Sequence, residues 1–188
     1  MLNNVVKVLM AANDLNVSNI TSTNNISRTA FYKNGNLNIE EISSIFNISD
    51  MNVAILNRLD NDNYTYKQLL FEALRCYTYN FYGLNDCEQR KGNAIKTIRV
   101  AEGINISSAS KMTGIATSII CQAEKGHIEF SLNNIRKYSK AFDILSSEIV
   151  RLLELEEDVY SYQELLLEVL GYYFEKHPEE KTKQKVLK

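Results

Sequence analysis

The sequence predicts an all-α fold made of two related helical units. Its composition disfavours breaks in helices, since 188 residues include one proline and seven glycines. Apolar residues recur at i, i+3 or i+4, and i+7 in several segments, which is the period of a helix with one buried face. A long stretch of the chain also repeats an earlier one, and this repeat predicts the division into two units.

The repeat is clearest in two segments rich in tyrosine and leucine. The stretch "DNYTYKQLLFEALRCYTYNF" at 62–81 returns 96 residues later as "DVYSYQELLLEVLGYYFEKH" at 158–177. Each copy opens with a capping box, which predicts a helix start at the same place: Thr65 with Gln68, and Ser161 with Glu164. The tyrosines share a stripe with leucines, so we expect them to pack in a core or an interface rather than to stack on bases.

A second pair of matching segments defines the limits of the two units. The stretch "VKVLMAANDLNVS" at 6–18 matches "IKTIRVAEGINIS" at 95–107, now with an offset of 89. The first copy is therefore about seven residues shorter in its middle. The sequence predicts a first unit over 1–88, a second over 91–175, and a flexible basic tail over 176–188.

In the second unit, cap residues and periodicity predict five helices before the tyrosine-rich one. They are a helix over about 93–102, a second from the Asn105 cap to Gly114, a third over about 117–124 ending at Gly126, a fourth capped by Ser131, and a fifth capped by Ser146 or Ser147. Two short helices with a glycine-centred turn between them, followed by packing helices, are typical of a helix-turn-helix.

The run "IKTIRVAEGINISSASKMTGIATSIICQAEKGHIEFSLNNIRKYSKAFDI" resembles the helix-turn-helix of the lambda-repressor/Cro type, also called the XRE family. The resemblance implies that Gly114 begins the turn and that the next helix enters the major groove of DNA. It also implies that Glu124-Lys125-Gly126 closes that helix, and that Arg99 forms a structural ion pair with Glu124. The chain departs from the family pattern at Ile106, where glutamine is usual, and its recognition helix has no Arg or Lys.

The resemblance also assigns roles to side chains around the recognition helix. Four would face the groove: Thr117, Ser118, Cys121 and Gln122. Three would turn inward: Ile115, either Ile119 or Ile120, and Ala123. An amide such as that of Gln122 pairs with adenine, and Thr117 or Ser118 can reach a phosphate, a base edge or a thymine methyl. Phosphate contacts would come from Lys96, Lys111, Lys125 and His127.

Charge is distributed unevenly along the chain, although the net charge is only −2. Residues 91–140 have eight basic and three acidic side chains, a net of +5. Residues 141–175 have nine acidic side chains and one basic one, a net of −8, and the segment from residue 176 returns to +3. Residues 91–140 are therefore the segment whose net positive charge favours binding to a polyanion such as DNA. The acids Glu154, Glu156, Glu157 and Asp158 are interpreted as a solvated face.

The first unit has a degenerate version of the same pattern. Asn25 stands where the second unit has its turn glycine, Met10 stands where it has Arg99, and no acid corresponds to Glu124. Arg28, Tyr32 and Lys33 remain as possible phosphate contacts. We expect this unit to serve packing or dimerisation, with retained DNA binding as the alternative.

The sequence offers little support for an enzyme or a metalloprotein. Its three cysteines (Cys76, Cys87 and Cys121) and two histidines have no metal-ligand spacing, so we expect reduced thiols, no metal and no cofactor. It contains no phosphate-binding glycine loop and no pairing of a nucleophile with a base. No apolar run approaches the ~20 residues of a membrane span, and the N-terminal segment lacks a basic n-region. A cytoplasmic protein without a membrane partner is expected.

The sequence and the resemblance together predict a sequence-specific transcriptional regulator, with a repressor as the expectation. Its partner would be double-stranded DNA, bound by a homodimer on two half-sites about one helical turn (~34 Å) apart. The alternative is a helix-turn-helix scaffold that binds a protein partner, as in antitoxins or anti-CRISPR proteins.

Overall fold

A computed structural model describes residues 3–23, 31, 37–80, 93–157 and 160–181. The regular elements of these residues are α-helices, which confirms the all-α prediction. The chain divides into two compact units, Met1–Cys87 and Glu88–Lys188. None of the helices in the described ranges is both long and apolar enough to cross a membrane.

The described part of the first unit contains five helices: α1 (Asn4–Ala12), α2 (Val17–Thr23), α3 (Ile39–Phe46), α4 (Asp50–Asn61) and α5 (Tyr66–Asn80). Helix α1 is central, because it packs against α3, α4 and α5. The core forms where the apolar stripes of these helices meet, and its fully buried members include Val5, Leu9, Leu56, Leu70 and Leu74. The predicted turn residue Asn25 and the candidates Arg28, Tyr32 and Lys33 lie outside the described residues.

The described part of the second unit contains seven helices: α6 (Ala94–Ala101), α7 (Ile106–Thr113), α8 (Thr117–Glu124), α9 (Leu132–Phe142), α10 (Ser146–Glu157), α11 (Tyr162–Lys176) and α12 (Pro178–Lys181). Helix α6 takes the central place, packing against α8, α10 and α11, while α7 packs against α8 and α9. Fully buried core residues include Ile98, Ile120, Ile149, Leu152 and Leu165.

Local capping chemistry explains where most of these helices begin. Both predicted capping boxes are present, since Thr65 N–H donates to Gln68 Oε1 over 2.8 Å and Ser161 N–H donates to Glu164 Oε2 over 2.7 Å. The Asn105 and Ser131 side chains cap α7 and α9 as predicted.

The cap predicted at Ser146 or Ser147 is wrong. Helix α10 begins at Ser146, and the amide of the preceding residue, Leu145, donates to Glu148 Oε2 over 2.7 Å. A glutamate one turn into the helix thus satisfies the amide at the cap position, so neither serine hydroxyl is needed there.

Matched positions of the two units adopt the same unusual backbone conformation. Asp14 and Gly103, separated by the offset of 89, have φ of 51° and 67°. Asn47 and Asp143, separated by the offset of 96, both have φ of 50°. Short polar residues tolerate this left-handed region better than bulky ones, so the helix ends of the repeat keep their geometry despite sequence divergence.

The beginning of the segment expected as a flexible tail is ordered. Lys176 is the last residue of α11, and its Nζ donates to the Asp143 carbonyl over 2.5 Å. The short helix α12 follows, and Tyr173 Oη donates to Glu180 Oε1 over 2.8 Å. Residues 182–188 lie outside the described residues, as do 81–92 with Cys87.

Candidate nucleic-acid interface

The turn between α7 and α8 is built around Gly114, as predicted. Its φ of 66° is left-handed, and its N–H donates to the Ser110 carbonyl over 2.9 Å, which ends α7. The buried Thr113 hydroxyl supports the turn from inside, donating to the Ala109 carbonyl (2.7 Å) and accepting from Ile115 N–H (3.2 Å). The direction in which α8 leaves α7 is therefore set by backbone geometry and one hydroxyl group.

One face of α8 is buried and holds the helix on the unit. Ile120 is fully buried, Ala123 is 4% exposed, and Ile115 just before the helix is 3% exposed. The sequence left open whether Ile119 or Ile120 turns inward, and the structure places Ile120 in the core while Ile119 is 37% exposed. Helix α8 thus rests on α6 and α7 through small and β-branched side chains.

The far end of α8 closes at Gly126. The amide of Gly126 (φ 70°) donates to the Ala123 carbonyl, and that of His127 donates to the Gln122 carbonyl, each over 2.9 Å. This pair of hydrogen bonds is the Schellman arrangement, which satisfies two carbonyls at the end of the helix. A turn glycine therefore bounds α8 on each side.

The ion pair implied by the family resemblance is present in the structure. Arg99 of α6 donates from Nε to Glu124 Oε1 over 2.6 Å and from Nη2 to Glu124 Oε2 over 2.8 Å. The side chains are only 12% and 7% exposed. Arg99 Nη1 also donates to the Ile104 carbonyl over 2.8 Å, so one guanidinium joins α6, the loop after it, and the end of α8.

Burial by itself lowers the pKa of Arg99, but the hydrogen bonds and charge of Glu124 outweigh it, so the pKa of the guanidinium is raised above its ordinary value. Arg99 therefore stays charged, and the pair joins α6 to α8.

A second tether joins the start of α6 to α8 and α10. Asn93 caps α6, and its Nδ2 donates to the Ala123 carbonyl of α8 over 3.0 Å and to Glu156 Oε1 over 3.2 Å. Glu156 also accepts from Ala94 N–H over 2.9 Å. The interpretation of Glu156 as part of a solvated face is wrong, because a partner 62 residues away holds it at a helix N-terminus. Glu154 and Glu157 are exposed, as expected, and Asp158 lies outside the described residues.

The outer face of α8 presents the polar side chains that were predicted to face a groove. Thr117, Ser118 and Gln122 are exposed, and Cys121 is half-buried with a free thiol. Ser118 and Gln122 are one turn apart and form the centre of this face. The exposed surface of α8 thus offers two hydroxyl groups and one amide.

The four predicted phosphate ligands fall into two groups. Lys111 at the end of α7, and Lys125 and His127 beyond the end of α8, are exposed. Lys96 differs, because it is half-buried and its Nζ lies 5.7 Å from the centroid of the Tyr162 ring. A cation–π contact of this kind holds the ammonium group against α11, which makes Lys96 the weakest candidate of the four.

The N-terminus of α8 differs from those of its two neighbouring helices. Its cap position is Ala116, and no side chain caps the helix, whereas α7 and α9 on either side have Asn105 and Ser131 caps. An uncapped helix start leaves backbone N–H groups directed outward, an arrangement that suits an anion such as a phosphate.

Sequence reasoning missed one exposed apolar side chain near this face, Met112, and left open the exposure of a second, Ile119. Met112 is 54% exposed at the end of α7, and Ile119 is 37% exposed on α8. The adjacent pair Ile119-Ile120 indicated that one of the two would be exposed, since neighbours on a helix lie about 100° apart and both cannot point to the core.

No protein-family model, no curated protein and no solved structure matches this chain.

Proposed function

We propose that this chain is a sequence-specific DNA-binding transcriptional regulator that places α8 in the major groove of double-stranded DNA. The observation that supports this most directly is the two-sided character of α8. Its inner face is buried and tethered at its end by Arg99 and Glu124, while its outer face presents Thr117, Ser118 and Gln122 to solvent. A reading helix needs such a fixed position, because base contacts tolerate little movement.

The dimensions of α8 suit the groove. An α-helix with its side chains is about 10–12 Å across, and the major groove of B-DNA is about 12 Å wide and accepts one such helix. The eight residues of α8 extend about 12 Å along the helix axis. Glycine turns at both ends leave little bulk beside the helix, since nothing lies within 4 Å of the Cβ position of Gly114 or Gly126.

Electrostatics supports the same placement. The exposed Lys111 and Lys125 lie just outside the two ends of the turn-and-helix segment, within the part of the chain whose net charge is +5. Lysines beside a reading helix neutralise phosphates and fix its register, whereas amides and hydroxyl groups provide sequence preference. The chain has both kinds of residue in these places, with lysines beside α8 and hydroxyl and amide groups on its exposed face.

The test is binding of the full chain to its own upstream DNA and to unrelated duplex, across a series of salt concentrations. We expect preferential binding to the upstream DNA and a linear fall of log affinity with log salt concentration. Lys111→Gln and Lys125→Gln should each weaken binding to all sequences and reduce the salt slope by about one.

Arg151→Gln is the matched control, because it removes one exposed cation from α10, outside the proposed interface. It should leave the slope unchanged. Equal, weak binding to every duplex, with the same slope in all three variants, would contradict the proposal.

A second candidate function is a protein-binding module on the same scaffold, of the antitoxin or anti-CRISPR kind. The observation that bears on it is the exposure of Met112 (54%) and Ile119 (37%), two apolar side chains on the helices that flank Gly114, because a protein partner would bury them. Capture of a defined partner by the full chain, unaffected by Lys111→Gln and Lys125→Gln, would favour this alternative over DNA binding.

A further inference from the structure

Ile119 is the exposed large apolar side chain of α8. It is 37% exposed, whereas its neighbour Ile120 is fully buried and supplies the apolar contact that α8 makes with the core. An exposed β-branched aliphatic residue in a helix also has a modest propensity disadvantage compared with alanine. The Ile119 side chain is therefore available at the outer surface of α8.

The surroundings of Ile119 point to a base-reading surface of one chemical kind. Gln122 lies one turn further along α8, at i+3, so the two side chains are neighbours on the surface. A glutamine amide pairs bidentately with N6 and N7 of adenine, and apolar side chains contact the C5-methyl of thymine. Helix α8 has no Arg or Lys for O6 and N7 of guanine.

We infer that the α8 surface selects an A·T-rich half-site, with Gln122 pairing to adenine and Ile119 packing on the methyl group of a thymine. The inference rests on the proposed DNA-binding function and adds the class of sequence that is read. Two neighbouring side chains of complementary chemistry, an amide and an aliphatic group, suit adjacent A·T pairs, which present an adenine edge and a thymine methyl in the same groove.

The expected size of each contact follows from general transfer data. Burying one methyl group corresponds to about a fourfold change in affinity. Losing a bidentate amide–adenine pair corresponds to about a fivefold to 150-fold loss. Gln122 should therefore dominate the preference, and Ile119 should refine it by discriminating thymine from bases that lack the methyl group.

The first experiment is selection of the full chain on a randomised duplex library, followed by sequencing of the retained molecules. Enrichment of A·T-rich half-sites is expected. Enrichment of G·C-rich half-sites would overturn this inference while leaving DNA binding in place. No enrichment at all, together with capture of a protein partner, would overturn the proposed function and this inference with it.

The second experiment isolates the methyl group. In the enriched duplex, each thymine is replaced in turn by deoxyuridine, which pairs identically but lacks the C5-methyl. One replacement should weaken binding of the natural chain about fourfold. The variant Ile119→Ala should bind the thymine and deoxyuridine duplexes equally.

Val150→Ala is the matched control, since Val150 is a β-branched residue of α10 with 38% exposure. It should keep the fourfold difference. If Ile119→Ala still binds the thymine duplex more tightly than the deoxyuridine duplex, Ile119 is not the residue that contacts the methyl group. If the natural chain binds both duplexes equally at every thymine, the thymine contact is overturned altogether. Because Ile119 is substantially exposed, helical content measured by circular dichroism should be the same in both variants.

Discussion

At the scale of single residues, the Arg99–Glu124 pair illustrates how burial makes either partner of an ion pair costly to remove alone, without making the pair a large net source of stability. Both charges are almost fully removed from water, and they satisfy each other through two hydrogen bonds of 2.6 and 2.8 Å. Desolvation costs nearly as much as the attraction returns, so the pair contributes mainly by fixing α6 against α8. The first unit has Met10 at the position that matches Arg99, so the same chain has an apolar residue in place of the arginine there.

Replacement of one partner should therefore be costly, and replacement of both should be tolerated. Arg99→Met alone should lower the free energy of unfolding by about 3–5 kcal/mol, because Glu124 would remain buried and unpaired. The double variant with Glu124→Leu should recover most of the loss, although the Ile104 carbonyl still lacks its donor. Chemical denaturation of the single and double variants provides the measurement.

The surface pair of Arg58 and Asp62 is the control, with an N–O distance of 3.9 Å and side-chain exposures of 73% and 59%. Arg58→Met should change stability by no more than about 0.5 kcal/mol. Equal losses from Arg99→Met and Arg58→Met would mean that the buried pair is not the tether described above.

Two tyrosine hydroxyl groups allow a similar comparison between a satisfied and an unsatisfied polar group. Tyr138 is fully buried, its ring meets Phe130 and Phe142 edge-on at 4.9 and 4.8 Å, and its hydroxyl has no hydrogen-bond partner. Burial, with a smaller effect from Glu124, raises the pKa of Tyr138 well above its ordinary value, so the hydroxyl stays neutral. Tyr77 Oη, in contrast, donates to the Phe46 carbonyl over 3.0 Å.

Tyr138→Phe should therefore raise the free energy of unfolding by about 1 kcal/mol, because the ring contacts remain and an unpaired buried hydroxyl is removed. The gain should be the same from about pH 6 to pH 9, since the hydroxyl does not ionise in that range. Tyr77→Phe should lower stability by about 1 kcal/mol. A loss of stability in Tyr138→Phe would show that a water or another group binds its hydroxyl.

At the scale of helices and turns, substitution of the left-handed glycines at the two ends of α8 measures the cost of backbone strain without a contribution from steric clash. Nothing lies within 4 Å of an added Cβ at Gly114, Gly126 or the helical Gly171, so only backbone conformation distinguishes them. Gly114→Ala and Gly126→Ala should each cost about 1–2 kcal/mol, because φ near 66–70° is unfavourable for an L-residue. Gly171→Ala should stabilise α11 by about 0.5–1 kcal/mol.

The denaturation midpoints of these three variants provide the measurement, and the midpoint should fall for Gly114→Ala and Gly126→Ala and rise for Gly171→Ala. A stabilising Gly114→Ala would mean that the turn relaxes to negative φ, and α8 would then leave α7 in a different direction. A destabilising Gly171→Ala would mean that an unobserved group fills the space beside that glycine.

The same helices show which structural features can be predicted from the sequence and which cannot. Helix limits were predictable because they depend on caps within three or four residues: Asn105 begins α7, and Gly114 and Gly126 end α7 and α8. The role of Glu156 was not predictable, because the amide that it caps lies 62 residues away in the chain and only folding brings them together. The inward turn of Ile120 rather than Ile119 depends on about 100° of helix rotation, which periodicity over eight residues does not define.

At the scale of the whole molecule, net charge is a poor guide to partners. The chain has a net charge of −2, yet residues 91–140 have +5 and residues 141–175 have −8. These segments belong to one compact unit, in which the helices of the acidic part, α10 and α11, pack against α6. A polyanion would meet the basic part first, and acidic helices in the same unit would limit binding to one orientation.

The two units also differ in what they retain from a common pattern. Both keep the left-handed helix ends and the capped helix that follows, whereas the arginine of the ion pair is found only in the second. We therefore propose that the second unit reads DNA, and we expect the first to serve packing or dimerisation. A homodimer would present two copies of α8 related by a twofold axis.

This arrangement makes a prediction about operator geometry. The full chain should bind tightly only to duplexes with two inverted half-sites whose centres are about one helical turn (~34 Å) apart. Insertion of about five base pairs between them rotates one half-site to the opposite face of the duplex and should weaken binding at least about tenfold, while insertion of about ten should restore part of the affinity. Sedimentation should give two chains per duplex. One chain per duplex, with no dependence on spacing, would show instead that the protein binds as a monomer and that the first unit has another role.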